Sequence, residues 1–381
     1  MSELDLVHSW YRYTPNEDKE WKLTLKQNDT DLSWLYVLVR KMRIGTARVK
    51  IGGVLSVETE EPYRLKGYAT RVMNSALDKM EADKYAISVL FGIRDFYHRF
   101  GYAPVMANSN LFMKTEDLLR PVASTTTSRM KRSDGAEIAQ LYNRLNATRT
   151  GTHVRPKYWS YFEGNFRVLP GIPQPQRVLL THGKQGAISG YVALAYNTER
   201  YVVPEIGGLN TEIFRTLAVS LGRSALRVGA DVVEFRLPYD HPFASFCSSL
   251  GCHWEIEYPR NHGIMARIIN LQTLFKSLEK ELTRRIRCAG LSTQTSVVIE
   301  TDIDSVSLTI HPSTVQVGNK PTQHATRVKI SQMRLIQLVM GYRSAEDLAN
   351  GLDVSIPSSI LPTLSVLFPK TVGYIWWSDR F

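Results

Sequence analysis

The stretch VETEEPYRLKGYATR, residues 57–71, constrains the fold of this chain more than any other part of the sequence. It joins a β-rich segment, YVLVRKMRIGTARVKIGGVLSVET, to an amphipathic helix through a short basic turn that contains Gly67. Glycine lets the backbone turn sharply and lets a ligand approach closely. The turn therefore predicts a strand that passes directly into a helix.

The same turn is a candidate anion site. The backbone amides from Leu65 to Thr70 would point at the open helix N-terminus, where the helix dipole favours negative charge. Arg64, Lys66 and Arg71 add positive charge. An ordinary strand–helix turn with basic surface residues is the alternative, and the short pattern alone does not separate the two.

The order of elements after the turn indicates a mixed α/β fold. TRVMNSALDKMEADKY carries apolar residues at helical spacing. AISVLFG then predicts a short strand in the middle of a sheet, followed by FYHRFGY. The apolar stripe of the predicted helix consists of Ala69, Val72, Met73, Ala76, Leu77 and Met80.

This order of strand, basic glycine turn, helix, strand and FYHRFGY resembles the GNAT acyltransferase superfamily. Residues 64–69, RLKGYA, match its (R/Q)xxGx(G/A) pyrophosphate loop. The resemblance implies acetyl-coenzyme A as co-substrate, with its pantetheine arm pairing with the preceding strand like an added β-strand. The cofactor-binding residues so implied are Val57, Glu58, Thr59, Arg64, Leu65, Lys66, Gly67, Tyr68, Ala69 and Thr70.

The resemblance narrows to the Eis-type (enhanced intracellular survival) acetyltransferases, on the residues GGV, VETEEPYRLKGYAT and GIRDFYHRFGY. It implies two tandem GNAT-like domains and a C-terminal sterol-carrier-like α+β domain. The polar stretch PVASTTTS and the start of the helix LQTLFKSLEKELTRRI divide the sequence at matching places. We expect an acetyl-CoA-binding domain at 1–120, a degenerate GNAT-like domain at 121–269 and the sterol-carrier-like domain at 270–381. A hexamer is implied by the resemblance alone.

A candidate acid follows the AISVLFG strand. Acetyl transfer requires a proton for the leaving thiolate, and tyrosine, with an unperturbed pKa near 10, is protonated at neutral pH. Tyr97 lies where GNAT enzymes often place a tyrosine acid. The alternatives are that Tyr97 is a core aromatic beside Phe96 and Phe100, and that Tyr102 is the acid.

A candidate base is harder to identify. Glu58, Glu60, Glu61, Asp95 and His98 are near in sequence, but each is typical of a solvated surface. In Eis-type enzymes the C-terminal carboxylate is thought to take the amine proton, which implies Phe381 here. Partial burial would raise the basicity of such a carboxylate. The aromatic ending, YIWWSDRF, predicts a final buried strand that carries it.

The second segment contains a weak internal copy of the first. FCSSLGC, residues 246–252, aligns with FYHRFGY, residues 96–102, and puts Cys247 at the position of Tyr97. No arginine-rich glycine turn precedes it at the corresponding distance. We expect a structural domain that forms one wall of the substrate cleft, with chance similarity as the alternative.

Composition limits the other functions. Net charge is +11, which attracts phosphates of any kind, but the basic residues form no dense tract and nucleic-acid binding is disfavoured. Three cysteines without CxxC spacing and scattered histidines predict no metal site. No apolar run could span a bilayer and MSELDLVHSWYRY does not resemble a signal peptide, so we expect a cytoplasmic protein.

We therefore expect an acetyl-CoA-dependent N-acetyltransferase that acts on a primary amine of an aminoglycoside, a polyamine, lysine or a small molecule. Direct attack is expected, because no cysteine lies in the first segment. The alternative is a non-catalytic lipid or small-molecule carrier that uses the C-terminal domain. Two departures concern the acceptor: few residues precede the Val57 strand, so the first GNAT helices are expected to be shortened, and Arg380 would disfavour a polycation.

Overall fold

The computed structural model describes residues 4–12, 19–123, 125–156, 177–196, 200–292, 294–318 and 324–381, without the side chains of Tyr11, Arg12 and Lys184. These residues form three β-sheets of mixed strand direction with helices between them. The predicted α/β class is confirmed.

The first sheet has the strand order β1-β2-β3-β4-β5-β14-β6. Only β4 and β5 are parallel, and the helix α1, Tyr68–Ala82, connects them. Because its apolar residues lie on one stripe, α1 buries that stripe against the sheet. The strands are β1 Leu4–Arg12, β2 Lys19–Gln27, β3 Thr30–Ile44, β4 Ala47–Thr59, β5 Ile87–Gly92, β6 Ala103–Pro104 and β14 Gly263–Ile268.

The second sheet repeats this plan in the order β13-β7-β12-β11-β10-β9-β8. Its parallel pair, β11 and β12, is connected by α4, Thr211–Arg227. The strands are β7 Asn108–Lys114, β8 Ser128–Arg129, β9 Arg177–His182, β10 Ile188–Tyr196, β11 Tyr201–Gly208, β12 Val232–Arg236 and β13 His253–Glu257. The other helices are α2 Thr115–Leu118, α3 Gly135–Leu145 and α5 Pro242–Ser248.

The two sheets exchange one strand each. β7 follows the first sheet in sequence but pairs with β12 and β13 of the second. β14 follows the second sheet but pairs with β5 and β6 of the first. The boundary expected near residue 120 stays a prediction; sheet membership crosses it in both directions.

The third sheet, in the order β17-β16-β15-β18-β19, belongs to the C-terminal segment. Two of its helices begin at capping residues: Ser331 caps α7, and Ser344 with Asp347 forms a capping box at α8. The strands are β15 Thr295–Glu300, β16 Ser305–His311, β17 Thr314–Gly318, β18 Thr326–Ile330 and β19 Val354–Ser355. The helices are α6 Leu271–Ala289, α7 Gln332–Val339, α8 Ala345–Ala349 and α9 Leu361–Leu367.

The first sheet is buried on both faces. On one face Val54 and Leu90 pack with residues of α1. On the other face Val89 packs into a core shared with the C-terminal segment. In the part of the chain that the structure describes, no α-helix precedes α1, and six residues, 13–18, separate β1 from β2. The expected shortening of the first GNAT helices stays a prediction. None of the described helices is long and apolar enough to cross a membrane.

Candidate active site

The first sheet opens between its two parallel strands. β4 and β5 pair from Ile51 opposite Ile87 to Val54 opposite Leu90, and both strands continue beyond that point. In the same stretch of β4, two residues, Ser56 and Val57, stand opposite one residue of β3, and Ser56 has φ +48°. A bulge leaves a residue outside the ladder and bends the strand. The β4 edge therefore offers backbone groups to a ligand entering the opening.

The predicted basic turn lies at the end of this opening. Leu65 and Gly67 both have left-handed backbone angles, with φ +62° and +79°, and Gly67 is the N-cap of α1 without a capping side chain. The first helical hydrogen bond runs from the Arg71 amide to the Gly67 carbonyl, at 3.1 Å. The amides before Arg71 have no acceptor within the helix. Successive amides in such a turn form an anion-binding concavity.

The charged side chains of the turn lie at its rim. Arg64 donates to the Thr59 carbonyl at 3.3 Å, and Arg71 donates to the Leu4 carbonyl at 3.2 Å. Lys66 lies 5.1 Å from the ring of Tyr63. Within the described residues, these three cations form no ion pair with a carboxylate. Their charge is therefore available to an anionic ligand.

Tyr97 begins a 3-10 turn, Tyr97–Phe100, which residues 93–96 separate from β5, and Gly101 at φ +78° ends this turn. The ring contacts Phe96 edge-on at 4.8 Å, and the side chain is partly buried with the cluster on the α1 face. Burial raises the pKa of Tyr97 above its ordinary value. Across the described part of the chain its hydroxyl makes no hydrogen bond, so the proton is available to a ligand.

The alternative acid, Tyr102, is enclosed in the core. Ser88 donates to the Gly52 carbonyl at 2.9 Å, so Tyr102 donates its proton to Ser88 Oγ, at 2.6 Å. This hydroxyl is already committed and cannot reach a substrate. The geometry favours Tyr97 as the candidate acid, whose role stays a prediction.

The local candidates for a base are exposed to solvent. Glu58, Glu60, Glu61, Asp95 and His98 all have exposed side chains. Asp95 in addition accepts a hydrogen bond from Asn261. They fit the expected solvated surface.

Phe381 lies against the parallel strands at the opening. Its ring packs directly on Gly53 of β4, where a β-carbon would lie 2.5 Å from Cζ of Phe381. The ring also contacts Phe91 of β5 at 5.3 Å and stacks on His153 at 6.2 Å. These contacts belong to the face away from α1, whereas Tyr97 packs on the α1 face. The two candidate residues therefore lie on opposite faces of the sheet.

The tail does not form the predicted final strand. Tyr374, Ile375 and Trp376 are buried as expected, but the backbone up to Trp376 is irregular and ends in a 3-10 turn, Trp377–Asp379. The Tyr374 amide donates to the Thr150 carbonyl of a loop, at 2.9 Å, and this single bond is not a ladder. The aromatic side chains of the tail are therefore buried although its backbone does not pair with a strand.

A buried ionic network holds the tail in place. Arg155 donates to Asp379 at 3.0 and 3.1 Å and to both oxygens of Glu205, at 2.7 and 2.6 Å. Tyr142 donates to Asp379 at 2.7 Å, and Ser378 donates to Glu205. Burial raises the pKa of Asp379, but the adjacent Arg155 outweighs it, and the pKa stays below its ordinary value. Since a buried charge requires a partner, Asp379 fixes the chain two residues before Phe381.

His153, which stacks on Phe381, predicts a pH dependence of stability. Burial and the nearby Arg40 lower the pKa of His153 to about 3, and burial with Arg149 does the same for His241. Unfolded histidine titrates near 6.5. Between these values the unfolded state binds more protons, so stability falls as pH decreases, by up to about 1.4 kcal/mol per pH unit for each histidine near pH 5. Urea unfolding at pH 5, 6 and 7 measures this slope.

The matched comparison is His153→Gln. We expect the variant to lose one histidine's share of the slope while His241 keeps its own. A variant with the slope of the wild type would contradict a neutral His153 in the fold.

The second sheet has the same layout without the anion site. Its helix α4 is capped by Asn210, whose side chain accepts from the Ile213 amide at 3.0 Å. Just beyond the paired part of β11 and β12, the Arg155–Glu205–Asp379 network fills the corresponding opening. Cys247, the counterpart of Tyr97, is buried, which raises the pKa of its thiol. In the second sheet, the side chain of Asn210 therefore occupies the N-terminus of α4, and Asp379 of the tail occupies the opening between the strands. These are the two places where a ligand would bind in the first sheet.

Sequence reasoning missed the bulge at Ser56 and the network of Arg155, Glu205 and Asp379. Nothing local marks a bulge at Ser56. Arg155 and Asp379 are 224 positions apart, with no pattern that relates them. The only signal for this network in the sequence was the charged residue Asp379 within the aromatic ending YIWWSDRF.

Comparison with known proteins finds similar sequences for the N-terminal part of the chain and similar folds for nearly all of it. Residues 2–105 match the family described as acetyltransferase (GNAT) domain. The N-terminal part of the chain is therefore similar to GNAT acetyltransferase domains. No curated protein matches the chain.

Solved structures share the fold over nearly the whole chain. A probable N-acyltransferase from Enterococcus faecalis superposes with a TM-score of 0.77 at 19% identity, covering 96% of this chain and 89% of that one. A GCN5-related N-acetyltransferase from Anabaena variabilis has a TM-score of 0.74 at 15% identity, with coverages of 94% and 89%. Eis1 from Mycobacterium abscessus has a TM-score of 0.66 at 18% identity, with coverages of 94% and 90%. The resemblance to Eis-type GNAT proteins is confirmed for the fold.

Proposed function

We propose that this protein is an N-acetyltransferase that transfers the acetyl group of acetyl-CoA to a primary amine by direct attack. The observation that carries the proposal is the uncapped, basic N-terminus of α1 beside the opening between β4 and β5. Pyrophosphate is the class of anion that such a turn binds. The β4 edge at Val57, Glu58 and Thr59 would pair with the pantetheine arm.

The chemistry needs three groups, and each has a candidate. The carbonyl oxygen of the thioester gains negative charge on attack, and a backbone amide at the Ser56–Val57 bulge is suited to stabilise it. The amine nitrogen forms the new C–N bond and loses a proton to the carboxylate of Phe381. The C–S bond then breaks, and Tyr97 donates its proton to the leaving sulfur of coenzyme A.

The layout of the sheet supports this division of roles. Tyr97 and Phe381 flank the opening from opposite faces, so a thioester held there could receive the acid on one side and the amine with its base on the other. An amine panel of aminoglycoside, polyamine, lysine and simple alkylamine tests the acceptor class. The three-domain division at residues 120 and 269, the sterol-carrier-like C-terminal domain, the hexamer and the cytoplasmic location stay predictions.

Calorimetric titration with acetyl-CoA tests the co-substrate. We expect micromolar binding, weakened about 100-fold or more in Arg64→Gln/Lys66→Gln, because each of the two charge-assisted contacts to a phosphate contributes about 1.5 kcal/mol or more. Lys276→Gln, an exposed lysine on α6, is the matched control. Absence of binding to the wild type at these concentrations would remove the proposal.

A further inference from the structure

Arg380, next to Phe381, lies in an unusual environment for a cation. Its guanidinium stacks on Trp377 at 3.6 Å and lies 5.2 Å from the ring of Phe91. Its Nε is buried without a hydrogen-bond partner. Among the described residues, no carboxylate lies within ion-pairing distance of this side chain, and none of its guanidinium nitrogens donates a hydrogen bond.

The buried arginines Arg43 and Arg155 and the half-buried Arg236 each have partners. Arg155 pairs with Glu205 and Asp379, and Arg236 pairs with Glu234. Arg43, which has no carboxylate partner, donates to the His153 carbonyl at 2.5 Å and to Asn143 at 2.7 Å. Removing a cation from water is costly unless an anion or a set of acceptors replaces the water. Arg380 has neither.

The neighbours of the Arg380 guanidinium do not supply an anion to balance its charge. Burial lowers the pKa of Arg380 to about 10, and the nearby Arg236 acts in the same direction. Tyr374 has a smaller effect than burial and raises this pKa. The hydroxyl of Tyr374 is likewise buried without a partner. A carboxylate could accept two parallel N–H bonds from Arg380, the geometry that guanidinium groups favour.

Arg380 is also close to the place where the acceptor must bind. Phe91 contacts both the Arg380 guanidinium and the ring of Phe381, at 5.2 and 5.3 Å. An amine that reaches the Phe381 carboxylate would approach on this face of the sheet. Any carboxylate carried by that molecule a few bonds from its amine would reach Arg380.

We infer that Arg380 is a specificity-determining residue and that the acceptor is an amine that also carries a carboxylate, such as an amino acid. This inference rests on the proposed acetyltransferase function and names its substrate class. It disfavours polycationic acceptors, because these bring a second positive charge towards Arg380 instead of the missing anion.

The test compares amines that differ by one carboxylate. Lysine against 1,5-diaminopentane, and tyrosine against tyramine, are matched pairs whose acetylated products are identified by mass spectrometry. The wild type is expected to prefer the carboxylated member about 30-fold or more in kcat/KM, the effect of a desolvated charge pair. Arg380→Gln is expected to bring this ratio near one, and Arg380→Lys to keep part of it.

Arg227→Gln, an exposed arginine on α4, is the matched control and should keep the ratio of the wild type. Equal rates for both members of each pair with the wild type would overturn the inference, whatever the variants do. So would an unchanged ratio in Arg380→Gln. Failure of the wild type to bind acetyl-CoA or to acetylate any amine would instead overturn the proposed function, and the inference with it.

Discussion

Replacing Tyr97 with phenylalanine is expected to lower kcat for amine acetylation about 100-fold or more, the range that a positioned general acid contributes. The hydroxyl makes no hydrogen bond within the described residues, so its loss removes no contact of the fold. The affinity for acetyl-CoA should change little. Because burial raises the pKa of Tyr97, the wild-type acid should remain protonated through pH 9. Steady-state rates of coenzyme A release measure the effect.

Tyr102→Phe is the matched control for this variant. It removes the hydrogen bond to Ser88 inside the core, so it is expected to cost about 1 kcal/mol of folding stability with kcat within a few-fold of the wild type. If Tyr97→Phe retained full activity, or Tyr102→Phe lost it, the assignment of Tyr97 as the acid would be wrong.

The second large effect is expected from one glycine added after Phe381, in a protein that otherwise ends at that residue. The addition moves the terminal carboxylate by one residue and should lower kcat about 100-fold or more, the effect of removing a general base. The fold should be unaffected, because Arg155 anchors the chain at Asp379, before the addition. Thermal unfolding and acetyl-CoA titration check both points.

Phe381→Leu keeps the terminal carboxylate and is the natural comparison. It loses contacts of the ring with Gly53, Phe91 and His153 and should lower kcat only a few-fold. Normal acetylation by the extended protein would mean that the tail is structural, and that the base is another group or a water molecule.

The sequence predicted what local chemistry determines. Gly67 and the apolar stripe of α1 depend on residues close together in the chain, and both have the predicted structure. The prediction of a final buried strand at the C-terminus was wrong in part. Its aromatic residues indicated burial, but burial does not distinguish a strand from an irregular segment fixed by side chains.

The remaining features depend on distant partners. The exchange of β7 and β14 places strands in a sheet far from their neighbours in sequence, and the strands' own alternating pattern suits either sheet equally well. Arg155 is an unremarkable arginine until Glu205 and Asp379 surround it. The sequence predicted only that Arg380 would disfavour a polycation, because nothing in the sequence shows that its buried Nε has no partner among the described residues.

The exchanged strands also set the order in which the molecule can be made. β14 lies between β5 and β6 and completes the first sheet, yet it leaves the ribosome only after every strand of the second sheet. During synthesis the first sheet has a gap between β5 and β6 until residues 263–268 have emerged. A gene fragment that stops near residue 120 would leave that gap unfilled and expose a strand edge to aggregation. The first sheet is therefore complete only after about two thirds of the chain has been made, and residues 1–120 alone cannot form it.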